Sequence, residues 1–211
     1  TQRVPKPEPV NPTIIFLQEN LPEHLKGHLS SEFLAAIAAD KDFMQNKGFS
    51  LTGLFRGVIL DPLLRKRATG GSTITQQLVK IALLSSERTI TRKLKELILA
   101  VQVDSKYSKN QILEMYLNNI PYGGTAVGIE AASNLYFNKH AKDLTLPESA
   151  FLGGLPQLPS YYSPFANKDK NYIGRSKDVL RRMKDEGYIS QKQADESLKT
   201  ITNFTFKQHK T

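Results

Sequence analysis

Gly70-Gly71-Ser72-Thr73-Ile74-Thr75-Gln76-Gln77-Leu78-Val79-Lys80 passes within a few residues from a glycine pair to apolar positions at helical spacing. Ile74, Leu78 and Ile81 fall on one stripe of a helix, and Ser72 or Thr73 is placed to cap it. First-turn N–H groups left exposed beside such a cap offer a site to an anion. Thr73, Gln77 and Lys80 share a face, so hydroxyl, amide and ammonium point the same way. Those residues alone also describe an ordinary capped helix with a polar outer face. Its neighbours decide between the two.

Downstream, Thr89 or Thr91 caps a second helix, with Ile90, Leu94, Leu97, Ile98 and Val101 as its core stripe. Arg92, Lys93 and Glu96 sit together on another face and, taken locally, form a solvated salt-bridge face. Ser108 caps the next helix, which turns Ile112, Leu113, Tyr116 and Leu117 inward; Pro121-Tyr122-Gly123-Gly124 is a turn. A helix through Ala131 and Ala132 ends near Tyr136-Phe137, and Leu146-Pro147-Glu148 opens another, with Pro147 suited to its first turn. Charged amphipathic helices follow over Lys177–Glu186 and Gln191–Thr200, ending in a basic polar tail. Upstream, residues 1–12 hold Pro5, Pro7, Pro9 and Pro12 and read as a linker or extended arm. Thr13–Leu17 reads as a short strand, and a helix from Ser30 or Ser31 carries Phe33 and Ile37. The sum is a mainly α fold of seven to nine helices, with little strand.

The chain of 211 residues can bury a sizeable core. It contains no cysteine, which excludes disulfides, thiolate metal sites and thiol nucleophiles. A net charge of +9 favours an anionic partner. No apolar run reaches the roughly 18–20 residues of a membrane span. Leu51–Leu60 is apolar, interrupted by Gly53 and Gly57 and followed by Arg65-Lys66-Arg67. Such a segment fits either a membrane interface or a buried core helix. No nucleic-acid motif is present, and the charge suits lipid and pyrophosphate better than nucleic acid.

From about Ser31 to Ser190 the chain resembles the family-51 glycosyltransferases, peptidoglycan polymerases found in bifunctional penicillin-binding proteins and as monofunctional enzymes. The resemblance rests on motifs in order: Gly-x-Ser-Thr-Ile-x-Gln-Gln at Gly70–Gln77, and Arg-Lys-x-x-Glu at Arg92–Glu96. Ile-Leu-Glu-x-Tyr-Leu-Asn follows at Ile112–Asn118, and Gly154-Leu155-Pro156-Gln157 with Pro159 closes the set. The family's first motif, Glu-Asp-x-x-Phe-x-x-His-x-Gly, falls on Ala39–Gly48 with two departures, Ala39 for the glutamate and Asn46 for the histidine. Val127 stands where the family usually has a tyrosine.

The resemblance implies a lysozyme-like helical lobe with a smaller membrane-proximal jaw lobe, within a glycosyltransferase domain over residues 13–211 whose jaw spans about 49–69. Leu51, Leu54, Phe55, Ile59 and Leu60 of the jaw would contact the membrane. It implies lipid II and undecaprenyl-pyrophosphate-linked glycan as substrates, with inversion at the anomeric carbon and release of undecaprenyl pyrophosphate. It also implies residence at the outer face of the bacterial cytoplasmic membrane, by an anchor outside these residues, alongside other cell-wall synthesis proteins. Lys80 and Arg88 would contact the donor pyrophosphate, with Ser72, Thr73, Gln76 and Gln77 nearby and Arg92 and Lys93 shaping the site. Asp40, Phe43 and Asn46 of the first motif would also face substrate. Glu96 would orient these cations or hold a divalent ion, Mg²⁺ or Mn²⁺, which the family does not require in every member. The sequence has no metal signature of its own.

Position 39 concerns the chemistry itself. A sugar hydroxyl is a poor nucleophile, and a carboxylate must accept its proton as the bond forms. Ala39 has only a methyl group there. Losing a positioned base costs about 10²–10⁴ in rate, or roughly 3–5 kcal/mol of barrier. Asp40 is adjacent, but successive helical side chains diverge by about 100°. The chain is therefore expected to be inactive or nearly so. A non-catalytic lipid II-binding domain is the alternative. A lysozyme-like hydrolase with Glu96 as acid would need a second carboxylate across the bond and would leave the cations without a purpose. No Ser-x-x-Lys or Lys-Thr-Gly occurs, so penicillin-reactive chemistry is absent from these residues.

Overall fold

The computed structural model describes residues 72–83 and 89–207. The arm over 1–12, the jaw over 49–69, the first-motif positions Ala39, Asp40, Phe43 and Asn46, and Arg88 lie outside the described residues. Within them the chain is helical: α1 (Ile74–Leu83), α2 (Ile90–Lys106), α3 (Lys109–Asn119), α4 (Ile129–Phe137), α5 (Leu146–Gly154), the single turn α6 (Pro159–Tyr162), α7 (Tyr172–Asp185) and α8 (Gln191–Thr202). Short 3-10 turns at Ala141–Asp143 and Leu155–Gln157 flank α5. The one β feature among the described residues is an isolated antiparallel bridge between Pro121 and Val127.

Helix starts follow local chemistry. Thr89 caps α2, accepting from the Arg92 N–H at 3.1 Å. Ser108 and Gln111 form a reciprocal capping box on α3, as Ser190 and Gln193 do on α8. Pro147 occupies the first turn of α5, where its missing N–H removes nothing. Between α3 and α4 the chain reverses through Gly123 and Gly124, both at positive φ. A Cβ on Gly123 would stand 2.6 Å from Ser163 Cβ and 2.7 Å from the Pro159 carbonyl, so only glycine fits this turn.

α1 packs on α2 and α3, while α5, α7 and α8 pack on one another. Ile112, Leu113, Tyr116 and Leu117 of α3 are buried, as their spacing predicts. α2 runs contrary to expectation. Ile90 is 89% exposed, Leu94 57% and Ile98 52%, whereas Glu96 is 1% exposed. The face read as solvated is thus the inner one, and the apolar stripe is turned outward. Glu96 has its cationic partners one turn back on its own helix, and they go inward with it.

The C-terminal tail also departs from expectation. It is basic and polar by composition, yet Phe204 and Phe206, both half-buried, pack against the hydrophobic core. Phe206 stacks on Phe151 at 4.9 Å between ring centroids and meets Tyr172 edge-on at 5.4 Å and Tyr136 edge-on at 5.9 Å. Tyr136 is the hub's polar anchor: its hydroxyl donates to the Tyr122 carbonyl at 2.9 Å and pairs with Ser163 Oγ at 2.9 Å. Burial pushes the Tyr136 phenol up to about 12, which keeps it a proton donor.

Glu130 joins α4 to the following 3-10 turn, accepting from the Ala141 N–H at 2.9 Å and facing His140 Nδ1 at 2.7 Å. Burial raises its pKa, but the Ala141 N–H, His140 and Asn134 together outweigh that and hold the carboxyl below its ordinary 4.5. Its contribution to stability is therefore complete above the unfolded value and lost as pH falls through the lower folded value. Urea unfolding should show Glu130→Gln less stable than the parent at pH 7, with the gap closing by pH 3. Phe206→Ala should cost about 2–3 kcal/mol in the same measurement, somewhat below a fully buried phenylalanine because Phe206 is half-buried. An unchanged midpoint would mean that the tail is not part of the core.

Candidate functional site

The start of α1 is closed by Thr73, not Ser72. The Gln76 N–H donates to Thr73 Oγ1 at 3.2 Å, and the Thr73 N–H donates to Gln76 Oε1 at 3.0 Å. This reciprocal box consumes two N–H groups that were expected to face an anion, and both side chains are buried. Thr73, Gln77 and Lys80 therefore do not form one continuous polar face. Thr73 is an internal cap. Gln77 is half-buried, donating through Nε2 to the Ser72 carbonyl at 3.3 Å and accepting through Oε1 from the Tyr116 hydroxyl at 3.1 Å. Only Lys80, in the last turn of α1, is exposed, and it pairs with no carboxylate among the described residues.

With Thr73 doing the capping, Ser72 Oγ accepts from Lys93 Nζ of α2 at 3.1 Å. The same ammonium is bound to Glu96 Oε1, while Arg92 Nη1 donates to Glu96 Oε2 at 2.8 Å. Both carboxylate oxygens are thus held by cations that lie about one turn before Glu96 on the same helix. Glu96 is nearly fully buried, its partners less so, with side chains 15% exposed for Arg92 and 29% for Lys93. A buried carboxylate flanked by two cations is neutralised with charge to spare. Arg92 Nε is buried without a hydrogen-bond partner among the described residues.

These groups open onto a cleft of about 520 Å³ whose lining includes Ser72, Gln76, Gln77, Lys80 and Glu96. A second wall comes from the loop after α5, with Pro156, Gln157 and Leu158, and from α7, with Arg175, Val179 and Arg182. Of the expected site residues, the structure brings Ser72, Gln76, Gln77, Lys80 and Glu96 to the cleft, with Lys93 and Arg92 behind them. Thr73 is not among the lining residues. Arg175, Arg182 and Tyr116 join the site without being marked for it by the sequence. The arginines share one helical face with Val179 between them, but a helix starting at Lys177 excludes Arg175. Tyr116 is core by its spacing, and its ring is buried, but its hydroxyl reaches Gln77.

A divalent cation does not fit Glu96 as placed. Both oxygens are occupied by cations that would repel it, and no group of three His, Cys, Asp or Glu among the described residues could hold a metal.

A family model described as Transglycosylase matches residues 17–184. Penicillin-binding protein 1A of Clostridium botulinum (strain Langeland) is 41% identical over 197 residues, covering 89% of this chain and 23% of that protein. Penicillin-binding protein 1F of Bacillus subtilis is 46% identical over 155 residues, 74% of this chain and 22% of that protein. Penicillin-binding protein 1A of Escherichia coli is 38% identical over 192 residues, 91% and 22% respectively. The chain therefore spans less than a quarter of the length of these relatives. Among solved structures, the crystal structure of penicillin-binding protein 1A from Haemophilus influenzae is similar over 64% of this chain and 16% of that one, at 29% identity and a TM-score of 0.43.

Removing the carboxylate should disturb the fold as well as the site. Glu96→Ala leaves two partly buried cations uncompensated and should cost about 3 kcal/mol in urea unfolding. A double-mutant cycle with Arg92→Ala should return a coupling of about 1–3 kcal/mol. Additive losses would mean that the pair acts independently of burial.

Proposed function

This chain belongs to the transglycosylase family, and we propose that it is a peptidoglycan glycosyltransferase domain that polymerises lipid II. The observation that supports this reading most is the composition of one cleft. An exposed Lys80 that pairs with no carboxylate among the described residues stands in it, together with a buried Glu96 whose charge is exceeded by Arg92 and Lys93. That arrangement suits a leaving group that gains negative charge as its bond breaks.

In this reading the donor is the growing glycan with undecaprenyl pyrophosphate at its reducing end, and the acceptor is lipid II. The acceptor 4-hydroxyl attacks the anomeric carbon from the face opposite the leaving group. The centre inverts, and undecaprenyl pyrophosphate departs toward Lys80. Lys93 and Arg92, fixed by Glu96, supply further positive potential, and Ser72 is held in place by Lys93. Both Glu96 oxygens face cations, so Glu96 serves as a positioning residue and not as the acceptor of the hydroxyl proton. That acceptor belongs at position 39, where this chain has alanine. Any divalent ion would be carried by the pyrophosphate oxygens, not by Glu96.

The net charge of +9 suits an anionic membrane surface, and the proposed location is the outer face of the bacterial cytoplasmic membrane. No described helix is long and apolar enough to cross a membrane. Ala39 also favours a second reading, a domain that binds lipid II without turning it over.

Lipid II polymerisation in detergent, by the parent and by Ala39→Glu at matched concentration, tests both readings. Glycan strands should form with Ala39→Glu, at a rate about 10²–10⁴ above the parent. Adding Lys80→Ala to Ala39→Glu should lower the rate about 10²-fold. Polymerisation by the parent at the Ala39→Glu rate would exclude position 39 as the base. Binding without polymerisation in both would leave the binder.

A further inference from the structure

The cleft has a cationic wall that the proposed reaction leaves unused. Arg175 and Arg182 stand about two turns apart on α7, with Val179 between them, and all three line the cleft. Arg175 is half-buried, and its Nε donates to the Gly154 carbonyl at the end of α5 at 3.3 Å. Gly154 leaves room for this arm: a Cβ there would lie 2.9 Å from Arg175 Cγ. One backbone bond thus fixes the arm, and the guanidinium fork makes no other hydrogen bond among the described residues. Arg182 is exposed.

Neither arginine pairs with a carboxylate among the described residues. Asp178 attracts Arg175 from the same helix, but its carboxylate is more than half exposed and lies 4.0 Å from Arg181. Burial, and then the charge of Arg182, push the Arg175 pKa down from its ordinary value; Tyr162, Asp178 and Tyr116 act in the other direction. Two like charges held on one cavity wall, one of them partly desolvated, are unfavourable until an anion arrives. Guanidinium forks suit planar or tetrahedral oxyanions in two-pronged contacts.

We propose that Arg175 and Arg182, on the α7 wall of the cleft, recognise a second oxyanion of the substrate. The proposal rests on the lipid II reading. The oxyanion has two sources in that substrate, a carboxylate of the peptide stem or a phosphate of the acceptor.

Binding of fluorescent lipid II in detergent micelles tests this with the chain as it stands, since no turnover is needed. Arg182→Gln should weaken binding about 10-fold, and Arg182→Lys only about two- to threefold, with the Arg182→Gln deficit shrinking at high salt. Arg175→Lys keeps the charge but loses the fork and should weaken binding at an unchanged melting temperature. Direct titration with free stem peptide and with inorganic pyrophosphate identifies the source: the probe whose affinity falls in Arg182→Gln is the one this wall reads. If Arg182→Gln and Arg175→Lys bind lipid II as the parent does while Lys80→Ala does not, the wall has no such role and the polymerase reading stands. If the parent binds no lipid II, that reading fails and this proposal fails with it.

Discussion

A carboxylate that is 1% exposed cannot remain charged without partners, and the inner half of the structure is arranged around that requirement. Glu96 takes Arg92 and Lys93 from its own helix, at the spacings where helical side chains meet. Lys93 then reaches across to Ser72, which ties the start of α1 to α2. Because the two cations must follow the carboxylate inward, α2 is rotated so that Ile90, Leu94 and Ile98 face outward. One buried charge thus fixes the rotation of a 17-residue helix against its hydrophobic periodicity.

The other wall of the cleft depends on a different kind of packing. The aromatic cluster of Tyr136, Phe151, Tyr172 and Phe206 locks α4, α5, α7 and the C-terminal tail together. Tyr136 extends that rigidity through its hydroxyl to the Tyr122 turn and to Ser163 just past α6. Arg175 stands on α7 within this unit and leans on the end of α5. The cleft therefore lies between a wall positioned by electrostatics and a wall positioned by aromatic contacts.

Much of this was legible in the sequence, and the failures have physical causes. Helix existence, the cap at Ser108 and the inward face of α3 follow from short-range chemistry, which a sequence displays directly. The ordered motifs fixed the family before any geometry was known. In places two local signals compete and the sequence alone does not decide. At α1, both Ser72 and Thr73 suit a cap; Thr73 takes it, and Ser72 Oγ accepts instead from Lys93, 21 residues away. At α2, periodicity and ion pairing gave opposite inner faces, and only burial distinguishes them. Phe204 and Phe206 sit among polar residues, so no period marked them as core. Arg175 was lost to a helix boundary placed five residues late, the kind of error that propensity alone leaves.

The internal cap on α1 bears on how such a site would release its product. An anion seated on free backbone N–H groups is held by dipoles that cannot move away. Here the Thr73–Gln76 box has spent two of those groups, and the positive potential is supplied by side chains instead. Lys93 and Arg92 are fixed by Glu96, whereas Lys80 is exposed on a flexible four-carbon stem with no carboxylate partner among the described residues. On the polymerase reading, a fixed pair behind an exposed cation would meet charge as it develops on a leaving pyrophosphate without clamping the finished product. Such an asymmetry favours rate, because an enzyme gains rate only from interactions stronger in the transition state than in the bound ground state.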